Sequence, residues 1–149
     1  MNLQIVHSLA LLSWAFAYPL VTPQTRFSLM AYNPESEIVH ERLIMIDQAG
    51  YISLEGDSEY SFSLDEKGIS TSRTLGYEGH LKLNKDKSFQ IGGKQEEVTY
   101  ALEGSKFTLN GSGLFVVCLN DSLIYHTGAD VGIPCTNTVE VDLFAKRSD

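Results

Sequence analysis

The chain is poor in most of what marks a membrane, nucleic-acid or metal protein. Lys and Arg number 11 against 19 Asp and Glu, a net charge of −8. It therefore lacks the basic stripe with interleaved aromatics that phosphate backbones and anionic lipids require. Its two cysteines do not form a CxxC pair, and His7, His40, His80 and His126 sit at no metal-ligating spacing. Asp57-Ser58-Glu59 is at most half of a calcium loop. G-x-S-x-G, H-E-x-x-H and phosphate-loop patterns are absent. The reading is of a non-enzyme with no cofactor and no metal. Beyond position 17 no window of about eleven residues carries a helical apolar stripe. No second long apolar run exists, so neither a transmembrane anchor nor a GPI tail is expected.

The one long apolar run, Leu9 to Ala17, is too short for the roughly 20 residues of a membrane span. Ala15-Phe16-Ala17 puts small residues at the −3 and −1 positions of a cut after Ala17, the pattern of a signal peptide. No Lys or Arg precedes the run, and a buried N-terminal helix is the competing reading. The expected organisation is a signal peptide at 1–17, a short lead at 18–25, a secreted domain at 26–146 and a polar tail at 147–149. Trp14, the only tryptophan, leaves with the signal. In an oxidising compartment Cys118 and Cys135 are most simply one disulfide, worth roughly 3 kcal/mol. The alternative, a catalytic thiol, has only His126 nearby as a partner. Asn110-Gly111-Ser112 and Asn120-Asp121-Ser122 are N-glycosylation sequons in turn-like stretches. Lys146-Arg147 is a dibasic pair, either a protease site or a surface charge pair.

Past the signal, short alternating runs are punctuated by turn residues. Arg26 to Tyr32 alternates with period two and stops at Asn33-Pro34. Leu43 to Ile46 and Tyr51 to Leu54 flank Asp47-Gln48-Ala49-Gly50 as a hairpin, and Tyr60 to Leu64 follows. Further strands are expected at Glu78 to Leu83, Ser88 to Ile91, Val98 to Leu102, Lys106 to Leu109, Leu114 to Cys118, Ser122 to Tyr125 and Val139 to Phe144. About twelve short strands at roughly ten-residue spacing predict an all-β fold. A β-trefoil-like barrel, with the first strand closing on the last, is preferred, and a β-sandwich is the alternative.

The carboxylates are scattered from Glu35 to Asp142 and read as a solvated acidic surface. Most tyrosines alternate with apolar neighbours, as half-buried strand residues do. Tyr77, between Gly76 and Gly79, is the best exception and the candidate sugar contact.

The segment Phe107 to Leu109, Leu114 to Cys118, Leu123 to Tyr125 and Val131-Gly132-Ile133-Pro134-Cys135 resembles fungal cell wall mannoproteins of the PIR family. In their C-terminal domain a Phe-rich strand ends in Cys; a short Phe/Tyr strand, Ile-Gly and a second Cys follow at this separation. Phe27-Ser28-Leu29, Ser36 to His40 and the Gly50 to Leu54 hairpin are similar to PhiA-like fungal wall proteins. The glucan-esterifying Gln of the PIR repeat is only echoed, in Gln90 to Gln95, where Gly93-Lys94 replaces Asp-Gly. The ester linkage is therefore not carried over. The resemblance implies a compact, wall-associated glycoprotein with a structural or wall-organising role and with glucan or chitin as partner. A lectin-like carbohydrate-binding module and a small secreted effector are the alternatives.

Overall fold

The computed structural model describes residues 25–127 and 132–148. The expected signal peptide and nearly all of the expected lead lie outside the described residues. In chain order the strands are β1 Phe27–Tyr32, β2 Met45–Ile46, β3 Ile52–Ser53, β4 Ser58–Glu59, β5 Ser61–Leu64, β6 Ser70–Ser72 and β7 His80–Leu83. They continue as β8 Phe89–Gly92, β9 Tyr100–Glu103, β10 Lys106–Leu109, β11 Phe115–Cys118, β12 Ile124–His126 and β13 Thr138–Arg147. No helix occurs among the described residues, and the fold is all-β.

The sheet order is β12-β11-β13-β1-β5-β6-β7-β8, with β9 and β10 attached through β13. Every pairing is antiparallel, from the β1–β13 ladder, Phe27↔Arg147 to Tyr32↔Asp142, onward. The first strand thus lies against the last, as the sequence pattern predicts. The outer strands of this path touch at one isolated bridge, Ser88↔Tyr125, where the His126 amide also donates to the Lys87 carbonyl at 2.9 Å. A small sheet, β3-β2-β4, leans on the large one through the Tyr51↔Gln90 and Ser53↔Leu123 bridges.

The last strand is longer than its apolar alternation predicts. It opens against β11 from Thr138 to Val141, then exchanges to β1 from Asp142 to Arg147. It therefore runs one residue into the expected tail. Two strands have no hydrophobic signature at all. β4 is Ser-Glu, and β6 is Ser-Thr-Ser with Ser70 1% and Ser72 8% exposed. Their backbone groups complete ladders whose neighbours bring the apolar side chains, so a period-two search passes over them.

One core fills the interior. Its spine is a run of rings: Phe27 on Phe62 at 5.8 Å, Phe62 on Phe107 at 5.4 Å, Phe107 on Phe115 and Phe115 on Phe89, both at 6.0 Å. Each such pair adds about 0.5–1.5 kcal/mol beyond its burial. Tyr60 and Tyr100 belong to this interior, their hydroxyls meeting Ser70 Oγ at 3.2 Å and the Leu81 carbonyl at 3.4 Å. Burial pushes both phenols above their ordinary range.

Three hairpins reuse one turn. Asp47 Oδ1 accepts from the Ala49 and Tyr51 amides, and Asp65 Oδ1 from those of Lys67 and Ile69. Gly50 and Gly68 close these two turns at φ 87° and 82°. The third turn begins at Asn84 and puts Lys87 in the same left-handed position, at φ 76°. A side chain there meets its own backbone, which is why glycine is preferred. Asn110-Gly111, both left-handed, makes the tight two-residue turn between Leu109 and Ser112.

Cys118 and Cys135 are bonded, with their Cα atoms 6.0 Å apart. Around them Val116, Tyr125, Leu123 and Ile133 form a second, smaller apolar cluster, separate from the ring spine. Tyr125 donates to Asp121 Oδ2 at 3.1 Å. Burial first, and the Asp121 charge second, push its phenol up to about 12.

Candidate functional site

Alternation along β1 sends Phe27, Leu29 and Ala31 into the core and leaves Tyr32 on the solvent side at its end. Tyr32 is 40% exposed and faces Asp142 across the ladder. Two rings hold it edge-on: His40 at 4.8 Å and Phe144 at 5.4 Å. The Asn33 amide donates to His40 Nδ1 at 3.1 Å, which assigns the proton of the neutral imidazole to Nε2, 3.3 Å from Glu41. Asn33 also ties the loop down. Its Nδ2 donates to the Glu140 carbonyl at 2.7 Å, and its Oδ1 accepts from the Glu35 amide at 3.0 Å.

Across from Tyr32 stands Leu114, 57% exposed, and between them runs an open groove of about 310 Å³. Glu35, Glu140 and Asp142 line it. Asp142 is partnered by Lys106 at 3.4 Å. Gly113 makes that reach possible, because a Cβ there would stand 2.6 Å from Lys106 Cε. Two apolar faces on anchored backbone, ringed by carboxylate acceptors, suit a ligand with both C–H faces and hydroxyls.

The residues expected from sequence do not gather at this groove. Tyr77 is half-buried, packed against the main core in the turn closed by its amide on the Thr74 carbonyl. Asn110 and Asn120 are exposed. Asn110 Oδ1 accepts from the Thr99 amide and hydroxyl at 2.8 and 3.1 Å, bonds that leave aside Nδ2, the atom a glycan takes. Asn120 Oδ1 lies 3.8 and 3.6 Å from the two disulfide sulfurs, contacts that carry no hydrogen because neither sulfur is a thiol. Cys118 and Cys135 are both consumed by their bridge.

Gln95 is spent on the backbone, accepting from the Leu83 amide at 2.8 Å and donating to its carbonyl at 3.0 Å. Gln90 donates to the Ala49 carbonyl at 3.0 Å. Both act as hairpin fasteners. His80 sits 3.3 Å from the Thr71 hydroxyl. His126 is buried against Phe115, its Nε2 without a hydrogen-bond partner, and burial followed by the Lys87 charge lowers its pKa.

Sequence reasoning groups Tyr32 with the half-buried strand tyrosines and misses it, although its place on the polar phase of an amphipathic strand is a signal that could find it. Leu114 carried no such mark, since only the fold brings it opposite. The chain matches no family model, no curated protein and no solved structure.

Proposed function

We propose that this chain is a secreted, cell wall-associated protein of fungal type that holds neutral wall polysaccharide, glucan or chitin, in a structural and non-catalytic role. The observation that carries the reading is the Tyr32–Leu114 groove, an exposed aromatic and an exposed leucine flanked by carboxylates on a strand ladder. The Cys118–Cys135 bridge supports an extracellular address, because such bonds persist where thiols are not kept reduced. The signal peptide at 1–17 and glycans at Asn110 and Asn120 belong to the same proposal, and the exposure of both asparagines supports it. So does a trefoil-like barrel closure, which the β1–β13 pairing and the Ser88↔Tyr125 bridge favour.

The test is a pull-down of the protein on insoluble β-glucan and on chitin. Saturable retention that Tyr32→Ala weakens about tenfold or more is the expected result, since one stacked ring contributes at least that much. Equal retention of wild type and variant, or none of either, overturns the groove. Fractionation of medium, detergent-extracted wall and alkali-extracted wall tests the address. A protein found only in the medium removes the wall assignment.

A further inference from the structure

A cleft of about 560 Å³ lies at the opposite end of the β1–β13 ladder from Tyr32. Arg26, just before β1, and Arg73, just after β6, both line it. Each is anchored through its backbone: the Ser148 amide donates to the Arg26 carbonyl at 2.8 Å, and the Arg73 amide to the Ser61 carbonyl at 2.7 Å. Among the described residues neither guanidinium has an ion-pair partner. In a chain of net charge −8, two such arginines offset the two glutamates of the same cleft and make it locally neutral.

The floor is built in advance. Ser61, Ser72 and Thr74 are each no more than 9% exposed. Thr74 Oγ1 accepts from the Ser61 amide at 2.9 Å and donates to the Glu59 carbonyl at 3.0 Å, while Ser72 Oγ accepts from the Thr74 amide at 3.3 Å. Glu59 and Glu78 stand at the wall, and Leu75, 93% exposed, lies bare on the rim.

We propose that this cleft binds a phosphorylated saccharide. Two guanidinium forks flanking different strands suit a tetrahedral phosphate, whose oxygens accept in more than one plane; a planar carboxylate is satisfied by one fork. The two glutamates accept from sugar hydroxyls, which inorganic phosphate does not bring. Leu75 offers an apolar surface to the C–H face of the ring. Charge, hydroxyl acceptors and apolar rim together select the phosphate and the sugar as one ligand. The site is separate from the Tyr32 groove, and its test stands whether or not that groove holds glucan.

The experiment titrates the protein with mannose 6-phosphate, mannose, glucuronate and inorganic phosphate, by calorimetry and amide chemical shifts. The expected result is saturable binding of mannose 6-phosphate, at least tenfold tighter than inorganic phosphate or glucuronate, with no measurable binding of mannose. Arg26→Gln and Arg73→Gln each weaken it about tenfold, and Lys94→Gln, removing an exposed cation elsewhere, leaves it unchanged. Both arginines are exposed, so near-UV circular dichroism of the variants should match wild type. Equal affinity for phosphate and glucuronate, binding that survives the double variant, or no binding of the sugar phosphate each overturns the proposal.

Discussion

At one end of the β1–β13 ladder Tyr32 faces Asp142, with Glu140, Glu35 and Leu114 around them. At the other end Arg26 and Ser148 meet beside Arg73 and a floor of serine and threonine hydroxyls. Six residue steps, about 20 Å, separate an aromatic, acidic groove from a hydroxyl-lined cleft that carries two arginines and two glutamates. Main-chain hydrogen bonding is the same at both ends, so the ladder places no demand on the side chains facing outward. What differs is the neighbourhood. β13 reaches the Tyr32 end from β11 and the disulfide cluster, whereas the Arg26 end is bordered by β5 and β6, which are rich in serine.

The largest effect should fall on what both ends share. Phe62→Ala removes the ring that joins Phe27 and Phe107 and should cost about 3–5 kcal/mol in denaturant titration. Hydrogen exchange should speed up at both ends together; unequal loss would mean that they are separate cooperative units.

Replacing Cys118 and Cys135 by Ala should cost about 3 kcal/mol. Cys118 faces Thr138, in the half of β13 that leads to the Tyr32 end. Exchange should therefore rise first at Glu140 and Val141, and later at Lys146 and Arg147. Uniform loss would erase the distinction between the ends.

Acid should act on the same side. Folded His126 holds its proton more weakly than an ordinary imidazole, whose pKa is about 6.5, through burial and then the charge of Lys87. The unfolded chain therefore takes up more protons as pH falls below 6.5, and stability declines there. Thermal midpoints at pH 7 and 5 should differ, and His126→Phe should flatten the difference. That variant also removes an unpartnered buried nitrogen and should gain about 1 kcal/mol.

The smallest effect belongs to the third hairpin. Lys87→Gly relieves a left-handed residue at φ 76° and should stabilise by about 0.5–1 kcal/mol. It also removes the cation that opposes His126 protonation, so the acid sensitivity should soften. A gain in stability with the pH slope unchanged would separate the two roles of Lys87.

Much of the fold was legible because apolar and polar residues alternate along most strands. Phe27, Leu29 and Ala31 fix the inward phase of β1, and that phase alone exposes Tyr32. The Asp47 and Asp65 turns announce themselves by Asp and Gly at matching positions. Ser70–Ser72 could not be read in this way, because a strand of three hydroxyl residues is buried by its neighbours and not by its own hydrophobicity. Arg26 and Arg73 stand far apart in sequence, and only registers running through β5 and β6 bring them to one cleft. Tyr77 stood out between two glycines, yet packing against the core decides its exposure.

The β1–β13 pairing has a consequence for the order of events during synthesis. β1 is made early in the domain, but its partner from Asp142 to Arg147 follows more than a hundred residues later. Until then β1 has β5 to pair with, along two residues, and the stretch around Leu43, through one bridge. The domain therefore cannot close until that partner is made, and its closing contact is its most distant one, the regime of high contact order and slow folding. A nascent chain halted before Asp142 should be protease-sensitive and prone to aggregate, and one released whole should not.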